Sequence, residues 1–296
     1  MTGARSPRSP LHRELEAARE AAVAASQRIL EIYDTEFRVS YKDALGDDPV
    51  TQADREANAV IVDRLRRAFP GDAIVAEESP LPVGFERVRR CWFVDPIDGT
   101  KEFVARNGEF SPMIGLAIDG RAVLGVIALP ALGGAILLGE VGVGAWAVEP
   151  GGVERALHVT DLSEPSRARV MVSRSRRAPA LDAVFRALGA PTEIPCGSVG
   201  VKVARLALGD ADAYVNLGSG SGHGMKLWDV CAPEALLVAA GGTFTDQLGR
   251  AIDYRNPDVG VRDGVVASNG RLHAALLDAI GAGGLPPSST LPARGG

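Results

Sequence analysis

Two different rhythms of apolar residues share this chain, and few folds accommodate both. Between residues 113 and 148, short β-type runs are punctuated by Asp119-Gly120, Gly133-Gly134 and Gly142, the pattern of an antiparallel meander. Beyond that the rhythm changes. Strand-like 169–172, helix-like 180–188 and 199–208, strand-like 213–215, helix-like 230–240 and strand-like 242–245 alternate as in an α/β unit. The expectation is therefore an α+β part over residues 11–160 and an α/β part over residues 161–280, with the change-over within 161–167. No internal repeat interrupts this plan.

Two helices precede the meander. Residues 11–33 are alanine-rich and place Leu15, Ala22, Ile29 and Ile32 near helical spacing. Residues 51–69 put Ala57, Val60, Ile61 and Leu65 on one face, with Thr51 as N-cap, Asp54 in the first turn and Pro70-Gly71 as the stop. Asp54 is thereby expected near a loop mouth. Short strands at 73–75 and 92–94 follow.

Hydrophobic residues make up 46% of the 296, enough for a packed core. The net charge of -5, from 32 Lys+Arg and 37 Asp+Glu, argues against a nucleic-acid polymer as partner but not against a small phosphorylated substrate beside a cation. Cys91, Cys196 and Cys231 are odd in number and far apart, which fits a reduced, cytoplasmic setting rather than a disulfide framework. No apolar run approaches the roughly 20 residues of a membrane helix. The basic start MTGARSPRSP lacks a signal-peptide core, and residues 1–10 and 281–296 read as disordered tails.

Acids stand at four element ends: Asp54, the pair Glu77-Glu78, the pair Asp95 and Asp98 in DPIDGT, and Asp229 in KLWDV. Alone, each has an ordinary reading as a solvated strand end, a turn residue or an N-cap. The DPIDGT loop asks for more. It follows the apolar strand WFV, Pro96 stiffens the backbone between the acids, and Gly99 permits close approach. Two such acids repel unless a cation lies between them, and hard oxygen ligands select Mg²⁺, Mn²⁺ or Ca²⁺. A helix starting at Gly99-Thr100 would offer its N–H groups to a phosphate.

WFVDPIDGTKEF resembles the first signature of the inositol monophosphatase superfamily, and WDVCAPEALLVAAGG from Trp228 resembles its second. AEES and DPVTQAD match that superfamily in type and order, so the resemblance covers about residues 15–280. It implies a layered α-β-α-β-α sandwich and a magnesium-dependent phosphomonoesterase. By that resemblance Glu77, Asp95, the Ile97 carbonyl, Asp98 and Asp229 hold two or three Mg²⁺ ions, with Glu78 in support. Thr100, bonded to Asp54, orients the attacking water, and the N–H groups of Gly99 and Thr100 hold phosphate oxygens. Dimers are common in the superfamily, so a homodimer is possible on this basis.

The continuation KEFVARNGEF and the segment VSRSR from Val172 are similar to bacterial CysQ-type 3′(2′),5′-bisphosphate nucleotidases. That implies hydrolysis of the 3′-phosphate of adenosine 3′,5′-bisphosphate, a place in sulfur assimilation and sensitivity to lithium. Ser173, Arg174 and Ser175 would then lie near the second phosphate or the adenosine, and Ser198 and Lys202 of CGSVGVK near the 5′-phosphate. Lys202 reads equally as a surface lysine. The chain departs from the pattern at Arg176, Ser111-Pro112, the long loop KDALGDD and the stretch GSGSGHGMK, whose His223 reads as a solvent-exposed loop residue. An inositol, sugar or histidinol phosphate monoesterase is the alternative on the same scaffold. A non-catalytic metal- or nucleotide-binding homologue is the alternative in another class, and the complete acid set with Thr100 argues against it.

Overall fold

A computed structural model of the chain describes residues 9–42, 49–175, 177–218 and 224–283. KDALGDD beyond Lys42, Arg176 and His223 lie outside the described residues, as do residues 1–8 and 284–296. The chain opens with helix α1 (His12–Tyr33), which buries Leu15, Ala18, Ala21, Ala22, Ala25, Ile29 and Ile32 along one stripe. Alanines dominate that stripe, so the helix approaches its neighbours closely. Strand β1 (Val39–Tyr41) pairs antiparallel with β2 (Pro49–Thr51), which leads directly into α2 (Gln52–Ala68). The buried face of α2 is Ala53, Asp54, Ala57, Asn58, Ile61, Val62 and Leu65. Val60, expected on that face, is only half-buried; Asn58 and Val62 take its side of the stripe.

A seven-stranded sheet follows in sequence order: β3 (Ala73–Ala76), β4 (Arg90–Asp98), β5 (Ser111–Ile118), β6 (Arg121–Ala128), β7 (Ile136–Glu140), β8 (Gly144–Val148) and β9 (Glu154–Ala156). Only β3 and β4 run parallel; every later pair is antiparallel, as the glycine punctuation predicts. Between β4 and β5 lies α3 (Thr100–Val104). The second sheet has the order β11-β10-β12-β16-β14. Its strands are β10 (Arg169–Ser173), β11 (Thr192–Cys196), β12 (Ala213–Asn216), β14 (Thr243–Thr245) and β16 (Val265–Ser268), with a separate small pair β13 (Met225–Lys226) and β15 (Gly260–Val261). Helices α4 (Leu181–Ala187), α5 (Val199–Ala207), α6 (Leu227–Ala239) and α7 (His273–Ala282) complete the chain.

Side-chain alternation along the strands sorts these elements into five layers. Trp92, Val94, Ile114, Leu116 and Val126 face α1 and α2. Phe93, Met113, Ile127 and Leu137 face the other way, onto α5 and α6, whose far side meets Met171, Tyr214 and Ala267 of the second sheet. That sheet's outer face, with Val170, Val215 and Val266, is covered by α4 and α7. The order is α-β-α-β-α, as the resemblance implies. Helix α6 is apolar on nearly all sides because a sheet lies on each of its faces.

A row of glycines sets how closely α6 lies on the large sheet. Gly115 on β5 is opposite Gly125 on β6, which is opposite Gly139 on β7. A Cβ on Gly125 would come 2.2 Å from the Ala232 carbonyl oxygen, and one on Gly139 2.6 Å from Leu236 Cα. The three missing side chains form a trough that the helix backbone fills. Near the ends of the described residues, Ser9 and the Leu11 N–H are held by Glu140, and α7 continues to Ala282. Among the described residues no helix is long and apolar enough to cross a membrane.

Candidate active site

Strand β4 carries the chain from the core of the large sheet to the acids. It does not stop at Val94, as the reading of DPIDGT as a loop requires; it extends to Asp98. Asp95 is opposite Met113 and Asp98 opposite Ser111, so three steps on β4 match two on β5. This bulge accommodates Pro96, which an uninterrupted central strand would reject, and it re-aims the side chains on either side. The Ile97 N–H donates to Asp95 Oδ1 at 3.0 Å. Gly99 then turns with φ 97°, and a side chain there would meet the Glu109 carbonyl oxygen at 2.8 Å. Glycine is required on both counts.

Asp54 reaches the same place from α2. Its Oδ2 accepts from the Thr51 N–H at 2.7 Å and from Thr51 Oγ1 at 2.6 Å, while Thr51 Oγ1 accepts from the Ala53 N–H. This capping box leaves Oδ1 to accept from Thr100 Oγ1 at 3.0 Å. The Thr100 hydroxyl has a second acceptor, the Ile97 carbonyl, at 3.2 Å. Asp54 is 1% exposed, and burial raises its pKa against the opposing pull of these hydrogen bonds. The Asp54–Thr100 pair expected from the sequence is thus present.

Glu77 follows β3, next in the sheet to β4, and Asp229 comes down on the first turn of α6. Asp229 is the third residue of that helix rather than its N-cap, and its Oδ2 accepts from the Lys226 N–H at 2.8 Å. Burial first, then repulsion from Glu77, Asp98 and Asp229, drives Asp95 well above the ordinary carboxylate range. Asp229 is raised likewise by burial and by Glu77. Burial lifts Glu77 to about 7 although the Lys42 ammonium lies 2.7 Å from its Oε1. Lys42 also pairs with Glu78, so both acids of AEES share one cation.

Asp98 is steadied from the second sheet's side. Its Oδ2 accepts from Ser198 Oγ and, at 2.7 Å, from the Gly200 N–H at the start of α5. Ser111, one of the departures from the family pattern, is buried with its Oγ 3.0 Å from Ser198 Oγ, and so belongs to the same support. Lys202 is not on the surface. It is 1% exposed; Nζ donates to the Gly197 and Ser198 carbonyls at 2.7 and 2.9 Å and lies 5.1 Å over the Tyr214 ring. The surface-lysine reading is therefore incorrect. The cause is α5 itself, which is buried on nearly every side between the two sheets. Burial lowers the Lys202 pKa, with Asp98 opposing.

Arg174 lies beyond Ser173 at the end of β10, half-exposed, with its Nη2 on Glu109 Oε2 at 2.6 Å. Lys42, Glu109 and Glu102 are the contributors that sequence reasoning passed over as functional. Glu102 is buried beside Gly197, where a Cβ would fall 1.9 Å from its Cδ.

The donor set suits a hard divalent cation. Glu77, Asp95, Asp98 and Asp229 supply carboxylate oxygens and the Ile97 carbonyl supplies a neutral one, the hard donors that such an ion takes. Among the described residues no three acidic, His or Cys side chains converge tightly enough to cage an ion as they stand. Each acid has an oxygen engaged elsewhere, Glu77 on Lys42 and Asp98 on Ser198.

Comparison with known proteins agrees. The family model described as "Inositol monophosphatase family" matches residues 11–283. The 3′(2′),5′-bisphosphate nucleotidase CysQ of Salmonella typhimurium is 36% identical over 242 residues, covering 81% of this chain and 93% of that protein. The inositol monophosphatase structure from Anabaena superposes with a TM-score of 0.75 at 28% identity, covering 96% of this chain and 100% of that one. The CysQ structure from Bacteroides thetaiotaomicron gives 0.73 at 27% identity, covering 88% and 98%. On its layers, its acid cluster and these relatives, the chain belongs to the inositol monophosphatase family.

Proposed function

We propose that the chain is a magnesium-dependent bisphosphate nucleotidase, hydrolysing the 3′-phosphate of adenosine 3′,5′-bisphosphate to AMP and phosphate. The observation that carries the chemistry is the Thr100–Asp54 hydrogen bond beside Asp95 and Asp98 of β4. Glu77, Asp95, the Ile97 carbonyl, Asp98 and Asp229 are the proposed holders of two or three Mg²⁺ ions, which when bound supply Lewis acidity and the charge that makes water a nucleophile near neutral pH. Thr100 orients that water. As the P–O bond to water forms and the ester P–O bond breaks, the water's proton passes to Thr100 Oγ1 and the Thr100 proton passes to Asp54 Oδ1, while the departing 3′-oxygen takes a proton from a solvent water, whose hydroxide is neutralised when Asp54 returns its proton to solvent. The Gly99 and Thr100 N–H groups stabilise the phosphate oxygens. Ser173, Arg174 and Ser198 line the nucleotide side.

The substrate rests on KEFVARNGEF and on the name carried by the Salmonella relative. In this reading residues 11–160 supply the catalytic pair and all the acids but Asp229, which comes from residues 161–280. Sulfur assimilation, lithium sensitivity, a cytoplasmic location and a homodimer complete the proposal. The test is phosphate release from adenosine 3′,5′-bisphosphate, 3′-AMP, inositol 1-phosphate and histidinol phosphate with Mg²⁺, with and without Li⁺. The bisphosphate should be turned over fastest and lithium should inhibit. Faster release from inositol 1-phosphate would replace this substrate with the alternative that the Anabaena structure's name suggests.

A further inference from the structure

Glu109 closes the KEFVARNGEF run, yet its carboxylate leaves the metal loop and crosses to the second sheet. Its main-chain carbonyl lies against Gly99. Its Oε2 accepts from the Gly197 N–H at 3.0 Å and from Arg174 Nη2 at 2.6 Å. Arg174 is fixed at its base as well: its N–H donates to the Cys196 carbonyl at 3.1 Å, and Nη2 lies 3.5 Å from the Pro195 carbonyl. The Glu109 side chain is 14% exposed, that of Arg174 46%. One edge of the guanidinium is therefore held while the rest meets solvent. Gly197 adjoins Ser198, which bonds Asp98, so this edge is anchored to the backbone that steadies a candidate metal ligand. The three segments that mark the nucleotidase branch, KEFVARNGEF, VSRSR and CGSVGVK, meet at one carboxylate.

A guanidinium is planar, so holding one edge fixes the direction of the other donors. Glu102 lies close enough to Glu109 for the two carboxylates to repel, with the Lys202 ammonium opposing. A phosphate arriving here needs an arginine already aimed, because ordering a long side chain at the moment of binding costs affinity. We infer that Glu109 is a specificity-determining positioning residue, holding Arg174 so that its outer donors receive the phosphate group that is not hydrolysed. This rests on the bisphosphate reading above.

The test is steady-state phosphate release by the full chain with Mg²⁺, using adenosine 3′,5′-bisphosphate and 3′-AMP as probes. Glu109→Gln, Arg174→Ala and the double variant are compared with the parent. Glutamine keeps an acceptor for Gly197 but loses the charge, and a melting curve close to the parent's shows that it folds. Glu109→Gln should lower the bisphosphate-to-monophosphate ratio of kcat/KM about tenfold, the scale of one charge-assisted hydrogen bond, with the loss in KM for the bisphosphate. Arg174→Ala should lower the ratio at least as far, and the double variant no further. An equal fall for both probes, an unchanged ratio, or effects of the two variants that multiply would each overturn the inference. A parent enzyme without preference for the bisphosphate would instead overturn the substrate reading, and this inference with it.

Discussion

Gly125→Ala tests whether the glycine row sets the position of Asp229. Gly125 has no left-handed backbone requirement, so alanine there is opposed only by space. The new Cβ would lie 2.2 Å from the Ala232 carbonyl oxygen and 3.0 Å from its Cα. The obstacle is backbone, so no rotamer change relieves it. Restoring ordinary contact requires α6 to withdraw by ~1 Å. Ala232 is three residues from Asp229 on the same helix, so the withdrawal reaches the acid cluster. Overpacking of this kind costs about 1–3 kcal/mol of stability, and a 1 Å displacement near a reacting centre can cost about 10²-fold in rate. The assay is phosphate release over a Mg²⁺ titration, with thermal melts with and without the metal. The variant should need about tenfold or more Mg²⁺ for half-maximal rate and recover part of its turnover at saturation, given the helix shift. Gly71→Ala, with nothing within 4 Å, serves as control. A folded Gly125→Ala protein with the parent's Mg²⁺ dependence would refute the argument that the trough places Asp229.

Asp54→Asn and Thr100→Ala should each reduce turnover by about 10²-fold or more while calorimetric Mg²⁺ binding stays near the parent's; an equal loss of metal binding would make them structural supports of the ligands. His273 is 8% exposed, with Nδ1 3.0 Å from Ser268 Oγ and Nε2 3.0 Å from Thr245 Oγ1, and burial lowers its pKa from 6.5. The unfolded chain therefore binds this proton more readily, so stability held above pH 6.5 is lost as pH falls below it; urea melts between pH 7.5 and 5.5 should show that slope, reduced in His273→Gln. Lys202→Met removes the ammonium donor from the Gly197 carbonyl, while the Ser198 carbonyl keeps the residue-202 N–H at 3.2 Å, and should cost about 1–3 kcal/mol in the same melts; a neutral outcome would mean that the ammonium contributes nothing net.

Local features were legible in the sequence because they are decided within a few residues. Thr51 and Asp54 announce the capping box, and Asp54 is positioned by the helix start that it helps to make. The acid positions were legible for a different reason: each stands where a recognisable apolar element begins or ends. What stayed hidden depends on register or on distant pairing. Gly115, Gly125 and Gly139 read as separate weak points until strand pairing aligns them. Lys42 meets Glu77 across 35 residues, and Glu109 meets Arg174 across 65. The choice between Val60 and Val62 turns on the edge of a helical stripe, where a 3.6-residue period barely discriminates. DPID reads as a loop because Pro96 argues against a strand, and only the bulge opposite β5 reconciles the two.

The cluster also costs the protein stability when no cation is present, and that cost has a measurable sign. Asp229 is half-buried, raised well above its ordinary pKa by desolvation and by Glu77, and carried on a helix held between two sheets, so it has little room to retreat. Asp229→Asn keeps an oxygen to accept from the Lys226 N–H while removing one charge from the repelling set. In chelator at pH 8, the variant should therefore melt a few degrees above the parent. With Mg²⁺ present the order should reverse, since a ligand that binds only the folded state adds RT ln(1 + [L]/Kd), about 2.7 kcal/mol at a hundred times Kd. The parent gains that increment and the variant loses most of it. A lower melting point for Asp229→Asn in chelator would show that its carboxylate stabilises the metal-free fold, and would contradict the view that these acids are held together against their mutual repulsion for the sake of the metal.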